Sequence, residues 1–377
     1  MRNLISALTL SFTIPAAFAQ TTLDTSQQTD LKPSAKIERI GDTLVHPWGM
    51  DFVSDTEILV TERGGKLFHI DIQSQTQREV TGVPDVFSFR QGGLLDIKVD
   101  ENDPSTIYFC YSKPDGNQAS TALGKAVLKD FELTDQSTLF VANNISNSSI
   151  HFGCRIEIVN DQIYLAVGER GQRDEAQDPS IHSGAVIRLN LDGSIPQDNP
   201  SSGALSNSID YSNWQDDIFS KGHRNPQGMA LNPHNGEIWL HEHGPRGGDE
   251  INIVQSGLNY GWPKVSYGEE YSGGKIGLGT SAKGYEEPIW KWVPSIAPSG
   301  MTFYQGTMFP DLDGHILVGS LKFRSLYLVA LNKNRPVSES VLFQNVIGRI
   351  RDVDVAADGS IYLLNDEKDG GVYRVFQ

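Results

Sequence analysis

The sequence predicts an all-β protein, a six-bladed β-propeller with four-stranded antiparallel blades. Short β-type runs separated by Gly, Pro, Asn and Asp fill the chain, one hairpin unit occurs six times, and one further strand precedes the first unit. A single hairpin sheet cannot bury both of its faces, so the copies must pack side by side. Closing six copies into a ring removes the exposed sheet edges. The alternative, a single β-sandwich, needs far fewer hairpins.

Each unit consists of an apolar strand, a turn rich in Asp, Asn, Pro and Gly, and a second strand of the type Ile-Tyr-Leu. The six units begin at Trp48, Leu94, Arg155, Gly228, Gly300 and Arg351. The strand around Lys36–Ile40 has no hairpin partner of its own. We expect this strand to lie beside Val372–Phe376 and so to complete the last blade, because an unpaired strand would leave the ring open.

Two long connections separate some of the units, at residues 198–217 and 267–299. Long irregular inserts in a compact domain are usually functional loops. The aromatic side chains of the second insert suit the wall of a pocket, or else ordinary loop packing. These aromatic residues are Tyr267, Tyr271, Tyr285, Trp290 and Trp292.

The N-terminus has the pattern of a secretory signal peptide over residues 1–19. Arg2 is followed by an apolar run and then by Ala17-Phe18-Ala19, so we expect cleavage after Ala19. A retained membrane anchor is the alternative, although the apolar run is short for a membrane span. Residues 20–35 are then a flexible lead-in and residues 36–377 the propeller. This interpretation predicts a periplasmic or secreted protein that does not insert into the membrane.

The chain is strongly acidic, with 47 acidic against 31 basic residues and a formal charge of −16. This balance excludes nucleic acid and anionic membrane as partners. It also makes a local cluster of basic residues informative, because the average surface repels anions. The two cysteines, Cys110 and Cys154, form either one disulfide or two buried free thiols.

Four basic residues lie next to the ends of predicted inner strands, where a propeller opens its central channel. They are Arg224, Lys322, Arg349 and Arg351. Alternation places Arg349 and Arg351 on the same side of their strand. Because like charges repel in a buried site, their convergence favours a bound organic anion with several carboxylates. The alternative is local pairing with acids, for example of Arg351 with Asp352 or Asp354.

A histidine and a glutamate are predicted to meet at the same rim. His151 precedes the inner strand that begins at Arg155, and Glu169 follows the next strand, which returns to that rim. A histidine oriented by a carboxylate is a competent general base near neutral pH. The alternative for His151 is a structural hydrogen bond.

The segment His241–Glu250 contains candidate metal ligands. His241 and His243 alternate, but a third ligand at a fixed spacing is missing, which makes a transition-metal site weakly supported. The carbonyls of Gly244 and Pro245 and the acids Asp249-Glu250 offer hard oxygen ligands, which favour calcium. A solvated turn is the alternative for the two acids.

Nine motifs in order carry a resemblance to a known family. They are HPWGM, QGGLLDI, HFGxR, GHRNPQGM, EHGPRGGDEIN, NYGWP, SGMTFY, GSLK and RIRDV. Together they resemble the soluble quinoprotein glucose/sorbosone dehydrogenases, and most of all bacterial aldose sugar dehydrogenases, over nearly the whole chain after the signal peptide. This resemblance implies a six-bladed propeller that binds pyrroloquinoline quinone (PQQ) and calcium.

The resemblance also implies a role for each matching residue. His151 is implied as the general base beside Glu169, and Gln91 as a residue that contacts both substrate and cofactor. The residues implied to hold PQQ, a tricarboxylate, are Arg224, Asn225, Tyr271, Lys322, Arg349 and Arg351. The calcium ligands implied are the carbonyls of Gly244 and Pro245 for the cofactor calcium, and Glu250 and Tyr260 for a second, structural calcium.

Two residues depart from the family pattern. Glu169 stands where glucose-specific members carry Asp, so its carboxylate reaches His151 through one more methylene. Cys154 stands where Gly is common, which favours a disulfide with Cys110.

The activity that the resemblance implies is oxidation of aldoses at the anomeric carbon to lactones. His151 would take the proton of the anomeric hydroxyl while a hydride passes to PQQ, and Arg224 would stabilise the developing oxyanion. The expected partners are an aldose and an unidentified electron acceptor, a quinone or a cytochrome, with the protein a monomer or a homodimer. A calcium-dependent lactonase-type hydrolase and a non-catalytic binding propeller are the alternatives.

Overall fold

The computed structural model describes residues 35–205 and 209–377, and these residues form six four-stranded antiparallel sheets. Five sheets are meanders of four consecutive strands, and the sixth combines the last three strands with the first. The first strands of neighbouring blades contact one another around a central channel. The six-bladed propeller predicted from the repeats is therefore confirmed.

The strands follow one another with short connections in most blades. The N-terminal strand and blades 1 to 3 comprise β1 (Lys36–Leu44); β2 (Pro47–Ser54), β3 (Glu57–Glu62), β4 (Lys66–Asp71) and β5 (Gln77–Val80); β6 (Leu94–Asp100), β7 (Asp103–Asp115), β8 (Gln118–Lys129) and β9 (Glu132–Val141); and β10 (Gly153–Val159), β11 (Gln162–Val167), β12 (Ala185–Asn190) and β13 (Ile218–Lys221). Blades 4 to 6 comprise β14 (Pro226–Leu231), β15 (Ile238–Glu242), β16 (Asp249–Val254) and β17 (Trp290–Trp292); β18 (Pro298–Phe303), β19 (Ile316–Ser320), β20 (Ser325–Asn332) and β21 (Arg335–Leu342); and β22 (Ile350–Val355), β23 (Ile361–Asn365) and β24 (Gly370–Phe376).

Helical structure among the described residues is limited to three short 3-10 turns. They are Arg173–Gln177, Pro200–Ser202 and Pro310–Leu312. No helix in residues 35–205 and 209–377 is long and apolar enough to cross a membrane. The predicted signal peptide and the lead-in up to residue 34 lie outside the described residues.

The ring is closed by the first and last strands of the chain. β1 pairs antiparallel with β24, with Lys36 opposite Phe376 and Ile40 opposite Val372. This pairing covers the edge that β24 would otherwise expose. The position predicted for the N-terminal strand is confirmed.

The inner strands begin within two residues of the six units read from the sequence. Each of the six has a register shift in its first residues, as at Gly153/Arg155 and Ile350/Asp352. Bulges bend a strand and redirect its side chains, and they are common beside active sites. The repeated bulge therefore lies at one end of the channel in every blade.

The hydrophobic cores lie between neighbouring blades. Ile37, Leu317 and Leu363, for example, belong to one buried cluster that joins blades 5 and 6. Burying one such side chain fully contributes about 1.5–3 kcal/mol, so each blade is stabilised by its neighbours.

A disulfide joins blades 2 and 3. It links Cys110 on β7 to Cys154 on β10, with the two Cα atoms 5.6 Å apart and a sequence separation of 44. The residues alone left open whether the cysteines form a disulfide or remain as two free thiols, and the structure shows the disulfide. Cys154 lies three residues after His151, so the disulfide fixes the strand that follows this histidine to the neighbouring blade.

Candidate active site

A cavity of about 550 Å³ opens at the end of the channel where the inner strands begin. Its volume is in the usual range for small-molecule sites. Its walls are predominantly polar, and the residues come from the inner strands or the loops beside them. They include Trp48, Arg63, Gln91, Phe152, Asn225, Gln227, His243, Lys322, Arg349, Arg351 and Asp366.

The cavity wall contains four basic side chains and one acidic side chain. Arg351 Nη2 lies 3.0 Å and Arg349 Nη2 lies 3.6 Å from Asp366 Oδ2. Arg63 Nη1 lies 3.9 Å from Asp366 Oδ1. Local pairing of Arg351 with Asp352 or Asp354 is wrong, because Asp366, from the loop after β23, is the acid that it contacts. One carboxylate shared by three guanidinium groups leaves a positive excess at the cavity.

Lys322 adds to this positive excess. Its Nζ donates a hydrogen bond to the Ser295 carbonyl at 2.8 Å. Arg351 Nε is buried and has no hydrogen-bond partner among the described residues. A buried charged donor without a partner is costly, and a carboxylate-rich anion in the cavity would satisfy it. The donor set therefore fits a polycarboxylate such as PQQ.

An ion cluster forms the floor of the cavity. Arg155 lies between two carboxylates, with Nη1 at 2.9 Å from Asp96 Oδ1 and Nη2 at 2.9 Å from Asp352 Oδ1. Its guanidinium also lies 4.3 Å from the ring of Trp48, which lines the cavity above. Both acids are engaged by Arg155, so this cluster separates the cavity from a second, larger opening at the other end of the channel.

His151 and Glu169 meet as the sequence predicted. His151 Nδ1 lies 2.9 Å from Glu169 Oε1, and the other carboxylate oxygen accepts the backbone N–H of Gly171. Glu169 thus reaches the histidine despite its longer side chain. A donating Nδ1–H leaves the lone pair on Nε2, the atom needed by a general base.

Burial lowers the pKa of His151 below its usual value. The Arg224 charge lowers this pKa too, whereas the hydrogen bond and the charge of Glu169 raise it. The imidazole is therefore neutral at pH 7. The backbone N–H of Glu169 donates to the Arg224 carbonyl at 3.0 Å, which places Arg224 beside the His151–Glu169 pair at the same end of the channel.

The loop that carries His151 is held by residues beside it. Gln91 Oε1 accepts the backbone N–H of His151 at 2.7 Å. Arg170 donates to the carbonyls of Ile150, Ala119 and Ser148, and its guanidinium lies 3.6 Å from the Phe152 ring. The sequence analysis missed Arg170, although its position directly after Glu169 could have indicated it.

Arg224 and Asn225 are brought to the site from the start of β14. Asn225 lines the cavity, and its Oδ1 accepts the backbone N–H of Gly153 at 3.3 Å. Arg224 lines a small adjoining cavity, and its Nη1 donates to the His243 carbonyl at 3.0 Å. The expected convergence of four bases is therefore correct for Lys322, Arg349 and Arg351, whereas Arg224 stands apart from them.

The adjoining cavity also contains most of the predicted calcium ligands. Gly244, Glu250 and Tyr260 line it, together with Glu242, which the sequence analysis did not single out. Burial raises the pKa of Glu250 well above its usual value, and the charge of Glu242 raises it further. Glu242 already contacts His223 Nδ1 at 2.9 Å and accepts the backbone N–H of Arg224. A cation beside Glu250 would offset the repulsion between the two carboxylates, and carboxylate and carbonyl oxygens suit calcium. These residues therefore fit a calcium ion.

Several other candidate ligands have protein partners already. The Tyr260 hydroxyl donates to the Ile253 carbonyl and accepts from Gln255 N–H, so only its backbone carbonyl is left for a cation. Asp249 accepts N–H groups from Gly244, Ile296 and Ala297, which makes it a structural acid.

Clusters of His, Cys, Asp and Glu do not form a metal site in the described part of the chain. No group of three or more of these residues there could hold an ion. His241 is buried, and both its ring nitrogens lack partners among the described residues. His243 instead contacts the Pro298 carbonyl at 2.6 Å. The pattern of two alternating histidines thus does not produce a transition-metal site here.

None of the five aromatic side chains of the second insert lines the cavity. Tyr271 is 72 % exposed and does not line it. Trp290 and Trp292 lie on the outer strand β17, where both indole N–H groups point to Glu339 on β21. For these two tryptophans, the alternative prediction of ordinary packing is correct, because they do not form part of the cavity wall.

Comparisons with known proteins agree with this geometry. The family model described as glucose / sorbosone dehydrogenase matches residues 44–374. The aldose sugar dehydrogenase YliI of Escherichia coli (strain K12) is 38 % identical over 91 % of this chain and 93 % of its own. The quinoprotein glucose dehydrogenase B of Acinetobacter calcoaceticus is 30 % identical over 85 % of this chain and 71 % of its own.

Solved structures show the same architecture. The soluble aldose sugar dehydrogenase of Escherichia coli, in its apo form, superposes with a TM-score of 0.85 at 37 % identity, covering 91 % of this chain and 99 % of that one. The PQQ-bound aldose sugar dehydrogenase of Streptomyces coelicolor has a TM-score of 0.74 at 21 % identity, covering 92 % and 99 %, and shares the fold. From the extent of the family match and the identity to its relatives, the chain belongs to the glucose/sorbosone dehydrogenase family of oxidoreductases.

Proposed function

We propose that this protein oxidises aldoses at the anomeric carbon to lactones, with PQQ and calcium as cofactors. The observation that carries the proposal is the position of a neutral histidine, held by a carboxylate, at the end of the channel where an excess of cations lines a cavity. The names of two relatives, an aldose sugar dehydrogenase and a quinoprotein glucose dehydrogenase, support the same substrate and cofactor class.

The basic side chains of the cavity would hold the carboxylates of PQQ. Lys322, Arg349 and Arg351 are the clamps, and Arg351 is positioned for this by Asp366 and by Gln227, whose Oε1 lies 3.2 Å from Arg351 Nη1. Arginine matches a carboxylate with two parallel hydrogen bonds. Gln91 and Asn225, which line the cavity, are the further cofactor contacts in this proposal, and Tyr271, which does not line it, is not one of them.

His151 acts as the general base. Bound PQQ supplies the electron acceptor for the hydride equivalent of the sugar, and calcium supplies a Lewis acid. His151 Nε2 takes the proton of the anomeric hydroxyl, while Glu169 keeps the ring in one orientation and stabilises the imidazolium. Gln91 holds the histidine backbone and contacts the substrate. The Arg224 guanidinium favours negative charge that develops beside it.

Two calcium ions are proposed beside this site. The carbonyls of Gly244 and Pro245 would hold the cofactor calcium. Glu250 and the carbonyl of Tyr260 would hold the structural one, and Glu242 adds a second carboxylate to that set. We further propose export to the periplasm or beyond the cell, electron transfer to a quinone or cytochrome, and a monomeric or homodimeric state.

A lactonase-type hydrolase is less well supported. Such an enzyme needs free acidic side chains in the channel to hold its metal, and Asp96 and Asp352 both contact Arg155 here. The non-catalytic alternative is disfavoured by the hydrogen bond between His151 and Glu169, which orients a base at the end of the channel where the cavity opens.

Reconstitution tests the proposed function. The purified protein is titrated with PQQ in the presence of calcium, and dye reduction is followed with glucose, a disaccharide and fructose. We expect aldose-dependent reduction that saturates with PQQ, and slow reaction of the ketose, which lacks an anomeric C–H bond. Lactone hydrolysis without dye reduction would favour the hydrolase, and equal rates on fructose and glucose would contradict hydride removal from the anomeric carbon.

A further inference from the structure

The environment of Arg224 differs from that of the other basic residues at the site. Arg349 and Arg351 share the carboxylate of Asp366, whereas the Arg224 guanidinium forms no ion pair among the described residues. Arg224 is only 7 % exposed, and its buried Nε has no partner in the described part of the chain. A buried guanidinium held by one carbonyl hydrogen bond requires another stabilising contact.

That contact is the ring of Trp262, in the NYGWP motif. The Arg224 guanidinium carbon lies 5.2 Å from the centroid of this ring, within the range of a cation–π interaction. Both side chains line the small adjoining cavity. An aromatic face attracts the guanidinium but does not neutralise it as a carboxylate would. The full positive charge therefore remains available to the reacting atoms.

Trp262 is itself fixed from several sides. Its backbone N–H donates to the Gly222 carbonyl at 2.8 Å, two residues before Arg224, and its backbone carbonyl accepts from Gln177 Nε2 at 2.6 Å. The ring packs with Ala176 and Ile276 in a small buried cluster, and the Arg173 guanidinium carbon lies 5.0 Å from its centroid. A ring held in this way can hold Arg224 in one orientation.

We propose that Trp262 is a positioning residue for Arg224, and that it keeps this charge directed at His151 and the reacting sugar oxygen. The role rests on the function proposed above. It extends that function by assigning a tryptophan that touches neither the predicted base nor the carboxylate clamps. Without the ring, the guanidinium would leave its present position, and the base would lose a nearby positive charge.

A double-mutant cycle of Trp262→Leu and Arg224→Gln tests this role. The first readout is the titration of His151 in the calcium-loaded protein without PQQ, followed by NMR of labelled histidine and assigned with His151→Gln. A positive neighbour disfavours the imidazolium, so both single variants should raise the His151 pKa. In the Arg224→Gln background, Trp262→Leu should cause no further rise.

The second readout is turnover with PQQ. Trp262→Leu should lower kcat about 10-fold, the size expected for loss of a partly desolvated cation–π contact, with PQQ affinity nearly unchanged. Trp290→Leu removes a tryptophan on β17 that faces Glu339 instead. It is the matched control and should change neither kcat nor the His151 titration.

Trp262→Phe covers the case in which Trp262→Leu does not fold. It keeps an aromatic face with a weaker quadrupole and should give a smaller shift in the same direction. An unchanged His151 pKa in the folded variants, or the same shift with and without Arg224, would overturn the role of Trp262. If the parent fails to oxidise aldoses at all, the proposed function is wrong, yet the histidine titration still decides whether Trp262 positions Arg224.

Discussion

At the scale of single residues, the backbone at His151 has an uncommon conformation. Its φ of +54° lies in the left-handed region, which non-glycine residues seldom adopt. Gly168 approaches so closely that an added Cβ would lie 2.1 Å from the His151 carbonyl oxygen. Strained residues persist only where the surroundings hold them, and here Gln91 and Arg170 do so. Core packing alone would not require this left-handed conformation at His151, so the conformation marks the residue as a functional candidate.

Replacing His151 separates turnover from cofactor binding. In His151→Ala we expect kcat to fall by about 10²–10⁴-fold, because a positioned general base is lost, while PQQ affinity stays near that of the parent. Steady-state rates measured across a PQQ titration check this. Full turnover at high PQQ would show that His151 is not the base.

The pH dependence should reflect the lowered pKa of His151. The base must be neutral to act, so kcat/KM should fall as the pH drops through this pKa, below about 6.5, the ordinary value for histidine. Glu169→Gln removes a charge that raises the pKa, so its acid limb should move to still lower pH. A pH–rate profile of both proteins decides the matter, and an acid limb above the ordinary value in the parent would contradict it.

Replacing a residue of the PQQ clamp should lower PQQ affinity and spare turnover, the opposite of what we expect on replacing His151. Arg351→Ala should weaken PQQ binding by about 1.5–3 kcal/mol for each charged hydrogen bond lost, and excess PQQ should restore most of the rate. Equilibrium titration of PQQ measures the loss. Arg335→Ala, an exposed arginine on the outer strand β21, serves as the control. PQQ binding as tight as in the parent would remove Arg351 from the clamp.

Which residues the sequence could identify depended on their neighbours in the chain. His151, Glu169 and Arg351 lie in recognisable short motifs and were placed correctly at the rim. Asp366 and Glu242 were missed, because their partners come from other strands and the sequence does not show which acid a given base will meet. Trp262 belonged to a named motif, but its contact with Arg224 appears only in three dimensions.

At the scale of elements, the disulfide between β7 and β10 should stabilise the contact between blades 2 and 3. Removing both cysteines in Cys110→Ala/Cys154→Ala should cost about 2–4 kcal/mol of unfolding free energy, the typical effect of a native disulfide. Urea unfolding of both proteins measures this loss. Two free thiols in the denatured, unreduced parent would refute the bond itself.

The inner strands show which features of a strand the alternation of residues predicts and which it does not. Period-two alternation predicted that Arg349 and Arg351 face the same side, and both contact Asp366. The bulges at the start of all six inner strands were not predicted, because one extra residue looks the same as regular strand in a sequence. These bulges shift each inner strand by one position at the cavity, so they influence which side chains reach it.

At the scale of the whole molecule, the propeller brings buried Glu242 and half-buried Glu250 together beside the small adjoining cavity. Calcium should therefore stabilise the folded protein, since binding to the native state alone raises its unfolding free energy. We expect calcium to raise Tm in the parent, and Glu250→Gln to lose most of this increase. Thermal unfolding with calcium and with a chelator measures both. An equal rise in Glu250→Gln would place the ion elsewhere.

The number of blades was predictable from repetition alone, whereas the contacts across the channel were not. Asp96, Arg155 and Asp352 come from blades 2, 3 and 6 and meet because the ring closes. Each of these residues looks like an ordinary charged position in its own strand. Their association depends on the radius of the ring, a property of all six blades together.

The pairing of Lys36 with Phe376 makes the two ends of the propeller neighbours. A short peptide linking them would close the backbone into a circle at little entropic cost, and a cut in an exposed hairpin elsewhere would create new termini. The pairing of β1 with β24 is also mechanically weak when the two chain ends are pulled apart. Force applied to the two ends would separate β1 from β24 one hydrogen bond at a time, like a zipper, so under tension the ring should open at this blade before any other.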